Sequence, residues 1–255
     1  MVFRIPKEHE VLVYFPQNTN ELSGQLKTVT HEFKVLIWNV YKGQLKHHFY
    51  DEFKLLAQDC DFLLLQEAMH DEVMPLFFKT EFPGHHWWLA LSWLKKSSNH
   101  GTGVCIGASV PMVDSKTQFA HQRELWFLTP KMTLFSEFEI QGVRVLFVNT
   151  HVLNLTTDKG YQKQLQDIAD VVQGFSGPVC LAGDFNSWSV KRYFIMKKVF
   201  RAVGLEHVDS DLDQRILPLD HLFLRGIEVV DFQIHHEMKG SDHLPLTAKL
   251  KIKGL

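Results

Sequence analysis

The chain lacks an excess of charge of either sign. Its 27 lysines and arginines stand against 29 aspartates and glutamates, for a formal net charge of −2 over 255 residues, with a pI near 6.7. A protein devoted to duplex nucleic acid usually shows a basic balance, so composition withholds that argument, although a local basic cleft stays compatible with it. Cysteine is scarce: Cys60, Cys105 and Cys180 are odd in number and lack metal-site spacing, which indicates buried thiols in a reducing cytoplasm. No apolar run approaches the length of about 18 residues that spans a bilayer, and the first thirty residues contain no signal-peptide core. The expectation is a cytoplasmic protein without a transmembrane segment, for which peripheral membrane contact stays open. No linker rich in Pro, Gly or Ser, no repeat and no low-complexity tract divides the chain. One monomeric domain over residues 33–255 is expected, with 1–32 as a polar arm of the same domain that supplies an edge strand near residues 11–14. At 45% apolar and 22% charged residues, there is ample material for a core.

What the chain does contain is a long succession of short apolar runs. Strands are expected near 34–39, 61–66, 87–91, 103–108, 132–139, 143–150, 178–182, 219–224, 228–234 and 245–251. Gln141-Gly142 supplies a tight hairpin turn. Phe49, Phe53 and Leu56 recur at helical spacing, as do Tyr161, Leu165, Ile168, Ala169 and Val172; a third helix is expected over 190–203.

Three constellations carry chemistry. Gly183-Asp184-Phe185-Asn186 follows the apolar run Val179-Cys180-Leu181-Ala182. On extended backbone, side chains two apart point the same way, so Asp184 and Asn186 are expected to converge on one substrate atom, the carboxylate polarising water and the amide donating to a phosphate oxygen. Asp and Asn are also ordinary turn residues. Phe62-Leu63-Leu64-Leu65-Gln66-Glu67 reads as a strand buried on both faces whose chain leaves the core at Glu67, a usual place for a metal ligand. In Gly240-Ser241-Asp242-His243 the adjacent acid and imidazole diverge, so each needs a partner elsewhere; Asp220, entering the apolar stretch 219–223, is paired here with His243.

In order along the chain, Trp38-Asn39, Leu65-Gln66-Glu67, Asn149-Thr150-His151, Gly183-Asp184-Phe185-Asn186, Asp220 and Ser241-Asp242-His243 resemble the endonuclease/exonuclease/phosphatase (DNase I-like) superfamily. The resemblance runs from about Phe33 to the C-terminus. The blocks around Ile37-Trp38-Asn39-Val40-Tyr41-Lys42 and Gly183–Ser189 look most like its YafD-type bacterial branch. The resemblance implies an α+β fold: a four-layer α/β/β/α sandwich in which two mainly antiparallel mixed sheets pack face to face between flanking helices, with the active site at one rim.

It further implies a phosphoester hydrolase dependent on Mg²⁺, with Mn²⁺ as a substitute. Glu67 would be the chief metal ligand, with Asn39 and Asp242 completing the set. Asp184 would prepare water, Asn186 would hold phosphate, His243 backed by Asp220 would neutralise a phosphate oxygen, and His151 would contact phosphate or protonate the leaving group. Magnesium favours carboxylates and retained waters, which this set offers, and no clustered Cys/His set of the kind zinc prefers is present.

The departures bear on substrate. DNA-repair members carry an acid two residues after the strand-end asparagine, where this chain has Tyr41; Lys42 next to it is a candidate phosphate anchor. His100 is a candidate substrate contact in a loop before Gly101. Trp87 and Trp88 are expected in the core, whereas Trp188 is the candidate pocket wall. Nucleic acid is slightly favoured as substrate over a phospholipid or small phosphoester, and a binding module without turnover is the non-enzymatic alternative. A continuous basic groove at the site would favour nucleic acid, and an exposed aromatic-aliphatic loop would favour lipid.

Overall fold

The computed structural model describes residues 3–15, 29–126, 129–209, 215 and 218–254; most of the polar arm, from 16 to 28, lies outside them. The arm begins with β1 (Phe3–Arg4), α1 (Glu8–Val11) and β2 (Leu12–Phe15). There follow β3 (Glu32–Asn39), α2 (Lys46–Ala57), β4 (Phe62–His70), α3 (Met74–Glu81), β5 (His86–Lys95), β6 (Gly101–Ala108), β7 (Met112–Phe119), β8 (Met132–Ile140) and β9 (Val143–His151). The chain ends with α4 (Asp158–Gln173), β10 (Val179–Asp184), α5 (Val190–Arg201), β11 (Glu206–His207), β12 (Asp220–Arg225), β13 (Ile227–Ile234) and β14 (Leu246–Ile252). One sheet has the order β1-β5-β6-β4-β3-β14-β13, with β2 also paired to β5, and the other β11-β12-β10-β9-β8-β7.

The two-residue period of extended backbone builds the layers. In β3, Phe33, Val35 and Ile37 enter the core between the sheets, while Leu36 and Trp38 face α2 and α3. In β9, Val145 and Phe147 join the inter-sheet core, whereas Leu146 and Val148 face α4 and α5. Phe62, Phe138 and Phe147 meet at that centre with ring centroids 4.1–5.5 Å apart. Strands that must bury both faces read as continuous apolar runs, which is why β3, β4 and β10 stand out in the sequence. The result is helix, sheet, sheet, helix. Among the described residues no helix is long and apolar enough to cross a membrane.

The expected hairpin closes at Gln141 (φ 50°) and Gly142 (φ 79°), the double positive φ that matches strand twist in a two-residue turn. Among the elements with no counterpart in the sequence reading, two flank the sandwich proper. Strand β7 is polar and largely unburied, bonded only to β8 at the sheet edge. Helix α3 has Pro75 in its first turn, where no backbone N–H is needed, and the Asp71 carboxylate accepts from the N–H groups of Val73 and Met74.

Two expectations about the site's backbone are corrected. Strand β4 does not end at Glu67. Leu65 pairs with Cys105 and Ala68 with Gly103, so one extra residue bulges out of β4, and Glu67 occupies that bulge at φ 55°. A bulge re-aims a side chain without ending the strand. Asn186, likewise, is not on extended backbone: β10 stops at Asp184 and Asn186 turns at φ 48°.

Candidate active site

Strand register assembles the centre. His151 is the last residue of β9, Asp184 the last of β10 and Asp220 the first of β12; Asp184 pairs with His151 on one side and with Asp220 on the other. Gly183 makes this approach possible. A Cβ there would lie 2.0 Å from the Thr150 carbonyl oxygen, and its φ of 144° is one that side chains rarely adopt.

The opposite rim supplies the rest. Asn39 ends β3 beside β4, and its amide donates to Asp184 Oδ2 (3.0 Å) across the sandwich. The loop before β14 is fastened to the same strand end: the Trp38 indole N–H donates to the His243 carbonyl (2.9 Å) and the Ser241 hydroxyl to the Asn39 carbonyl (2.6 Å). The two rims are tied from beneath by Asn149, which accepts from Gln66 Nε2 (2.7 Å) and donates to the Leu65 and Cys105 carbonyls. Polar groups this deep hold position because each bond lost would leave a buried orphan.

Asp184 lies between two imidazoles, 3.1 Å from His151 Nε2 and 3.9 Å from His243 Nε2. Burial opposes its charge, but His151, His243 and Lys131 outweigh that and hold its carboxyl well below the usual carboxylate range. The Asn186 backbone N–H donates to its other oxygen (2.9 Å). His243 Nδ1 lies 2.8 Å from Asp220 Oδ2, the pairing inferred from the sequence. Burial works against a charged His243, yet Asp220, then Asp184 and Asp242, push its pKa up to about 10.

Glu67 forms an ion pair with Lys42. Burial opposes the Glu67 charge too, but His151, Lys42 and Lys131 bring its carboxyl below the ordinary value. Lys42 thus meets a carboxylate, held there by consecutive positive φ values at Tyr41 (46°) and Lys42 (58°), a costly conformation for side chains other than glycine. The Asn186 amide donates to the Val152 carbonyl (2.8 Å), so part of its donor capacity fixes the loop after β9. Trp188 is half exposed and stacked on the Arg192 guanidinium at 4.6 Å. His100 bonds Glu72 (2.9 Å) beyond the bulge of β4, without a bond to the central cluster.

Two residues escaped the sequence reading. Lys131 Nζ lies 2.8 Å from His151 Nε2; that nitrogen can donate to Asp184 or accept from Lys131, but not both. The register that sets Thr133 opposite Thr150 carries Met132, not Lys131, opposite His151, so strand pairing alone does not reveal this contact. Arg192, buried inside α5, donates to the carbonyls of Asn154 (2.9 Å), Thr156 (2.7 Å) and Asn186 (3.3 Å). A lone arginine in a helical run carries no local signal of that role.

Two sets of residues bear on cation binding, the one expected from the sequence and one the structure draws together. Glu67, Asn39 and the exposed Asp242 offer only oxygens, as a hard cation requires. Asp184, Asp220 and His243 also present ligand atoms within 4.8 Å of one another, but a cation there would compete with the His243–Asp220 bond. A cation on the oxygen set would in turn draw Glu67 away from Lys42. Cys60, Cys105 and Cys180 are buried and form no disulfide.

A UPF0294 protein of Vibrio cholerae is 31% identical over 273 residues, covering 98% of this chain and 92% of that protein. One from Vibrio parahaemolyticus is 28% identical over 267 residues, covering 96% and 90%. The crystal structure of an endonuclease/exonuclease/phosphatase from Beutenbergia cavernae superposes with a TM-score of 0.70 at 15% identity, over 87% of this chain and 72% of that one. The sequence pattern of the endonuclease/exonuclease/phosphatase family runs from residue 36 to residue 243, from β3 to the histidine that meets Asp220, and it is to this family that the chain belongs.

Proposed function

We propose that the chain is a Mg²⁺-dependent phosphoester hydrolase in which Asp184 orients the attacking water. The observation that carries this reading is a carboxylate kept charged in a buried site between two imidazoles, with the Asn39 amide donating to it from the opposite sheet. A phosphoester resists attack because its charge repels nucleophiles and its leaving alkoxide is poor, so catalysis needs neutralisation and an aligned water. Bound magnesium, held by Glu67, Asn39 and Asp242, would supply Lewis-acid neutralisation of a phosphate oxygen. Asp184 is too acidic to be a strong base; its role is to accept a hydrogen bond from water and aim the lone pair in line. His243 stays cationic near neutrality because of Asp220 and faces the charge that develops on phosphate. His151, whose Nε2 lies 3.1 Å from Asp184 and 2.8 Å from Lys131, is the group available to the leaving oxygen. Asn186 braces Asp184 through its backbone and has one amide hydrogen left for phosphate.

Two substrate classes fit this chemistry. Nucleic acid is the first reading, and Lys42 and Lys131 are cations that suit its backbone. A phospholipid or related phosphoester is the second, favoured by Trp188, Val190 and Phe194, which stand exposed next to the site. The test is Glu67→Gln, assayed with Mg²⁺ and Mn²⁺ on plasmid, single-stranded and abasic DNA, sphingomyelin, inositol phosphates and bis-p-nitrophenyl phosphate. Loss of turnover with weakened Mg²⁺ binding by calorimetry is expected; unchanged affinity with unchanged turnover rejects the assignment.

A further inference from the structure

The rim beside Asp184 carries apolar side chains from three separate segments. Val190 and Phe194 are each 64% exposed, Trp188 48% and Leu155 47%. Arg192 gathers them: its guanidinium stacks on Trp188 and binds the carbonyls flanking Leu155. Leu125, also exposed, donates its N–H to the Leu155 carbonyl (3.1 Å). Such side chains scattered singly would mean little, but segments tied together in this way next to the site present their apolar groups jointly, as an interaction surface does.

The helix that forms this face carries charge of one sign. Helix α5 contains Lys191, Arg192, Lys197, Lys198 and Arg201 and no acidic residue. Lys191 is matched by Asp158 and Lys197 by Asp209, while Lys198 and Arg201 are exposed and make no ion pair among the described residues. Val190, Phe194 and Lys198 recur every fourth residue, so apolar groups occupy the end of the helix nearest the site and cations the next turns. A surface that presents aromatic and aliphatic groups inside a basic margin matches an anionic lipid interface, with insertion of the first and headgroup contact by the second.

Single-stranded nucleic acid fits less well. Base stacking along a strand needs several open aromatic faces; here Phe194 offers one, Arg192 lies over the Trp188 ring, and Leu125, Leu155 and Val190 have no π face. We propose that this rim docks the protein on an anionic lipid surface and that the phosphoester reaches Asp184 from that surface. The second clause rests on the hydrolytic function proposed above, in its phospholipid reading; the docking itself does not.

The test is flotation with phosphatidylcholine vesicles, with and without phosphatidylglycerol, in EDTA so that no turnover occurs. Wild-type protein should float with the anionic vesicles. Val190→Ser/Phe194→Ser should partition at least about tenfold less, since burying even one such side chain is worth that much, and should keep its turnover on soluble bis-p-nitrophenyl phosphate. Lys198→Gln/Arg201→Gln should lose the preference for anionic vesicles. Failure of the wild type to float, or equal flotation of the serine variant, overturns the proposal. So does a serine variant that still floats but has lost binding to a single-stranded oligonucleotide, which would assign the rim to nucleic acid. Glu67→Gln separates the two claims: if it still hydrolyses soluble ester at the wild-type rate, the hydrolytic reading fails while flotation still decides docking.

Discussion

Asp184 is buried and ionised, a combination that only close cations sustain. Asp184→Asn keeps shape and one acceptor oxygen but removes the charge that aims water. Turnover should fall about 10²–10⁴-fold, the usual cost of a positioned acid–base group, with KM nearly unchanged. Steady-state kinetics on any substrate the wild type cleaves checks this, and near-native kcat would remove Asp184 from the mechanism. Asp220 acts through His243 at 2.8 Å. Groups that work as a unit lose their effect together, so Asp220→Asn/His243→Ala should lose less activity than the product of the two single losses. Multiplicative losses would give Asp220 a separate task.

At the scale of elements, α5 and the loop after β9 are held in one arrangement by Arg192. Its side chain is 1% exposed, stacks between Tyr161 and Trp188, and bonds carbonyls of the loop after β9 and of Asn186 ahead of the helix. Arg192→Met would fill much of the same space and leave those carbonyls without a donor. Hydrogen bonds from a charged group are worth about 1.5–3 kcal/mol each, so a loss of about 3 kcal/mol or more is expected. The melting temperature should drop by on the order of 10 °C in a chain of this size. A thermal melt close to wild type would mean that packing alone positions the loop.

For the whole molecule, the charges of the centre couple stability to pH. In metal-free protein His243 has a pKa near 10, against about 6.5 in an unfolded chain. A raised pKa contributes stability that is complete below about 6.5, erodes as pH rises, and is gone above the folded value. The melting temperature in EDTA should therefore fall between neutrality and pH 10, and His243→Gln should start lower and flatten that slope. Asp184 works in the opposite sense: its depressed pKa stabilises above the usual carboxylate range and is lost on acidification. A wild-type melting temperature constant from neutrality to pH 10 would deny His243 its charge.

The sequence alone determined the layers and most of the ingredients of the site. Both follow from local rules: buried strands demand apolar runs, helices a 3.6-residue repeat, and Asn39, His151, Asp184 and Asp220 mark places where those runs begin or end. Strand β7 stayed hidden because an edge strand with polar side chains takes its conformation from its neighbour. Glu67 was found, but not the bulge that aims it, since a bulge exists only relative to the partner strand β6. Asn186 was read as extended because spacing in sequence carries no φ, and the turn that places it appears only when its amide meets the Val152 carbonyl. The His243–Asp220 pair was legible because a buried acid demands a partner. Lys131, Arg192 and the ion pair of Lys42 with Glu67 were decided by tertiary structure alone: each joins segments distant in sequence, and a charged side chain reveals its partner only once the chain has brought the two together.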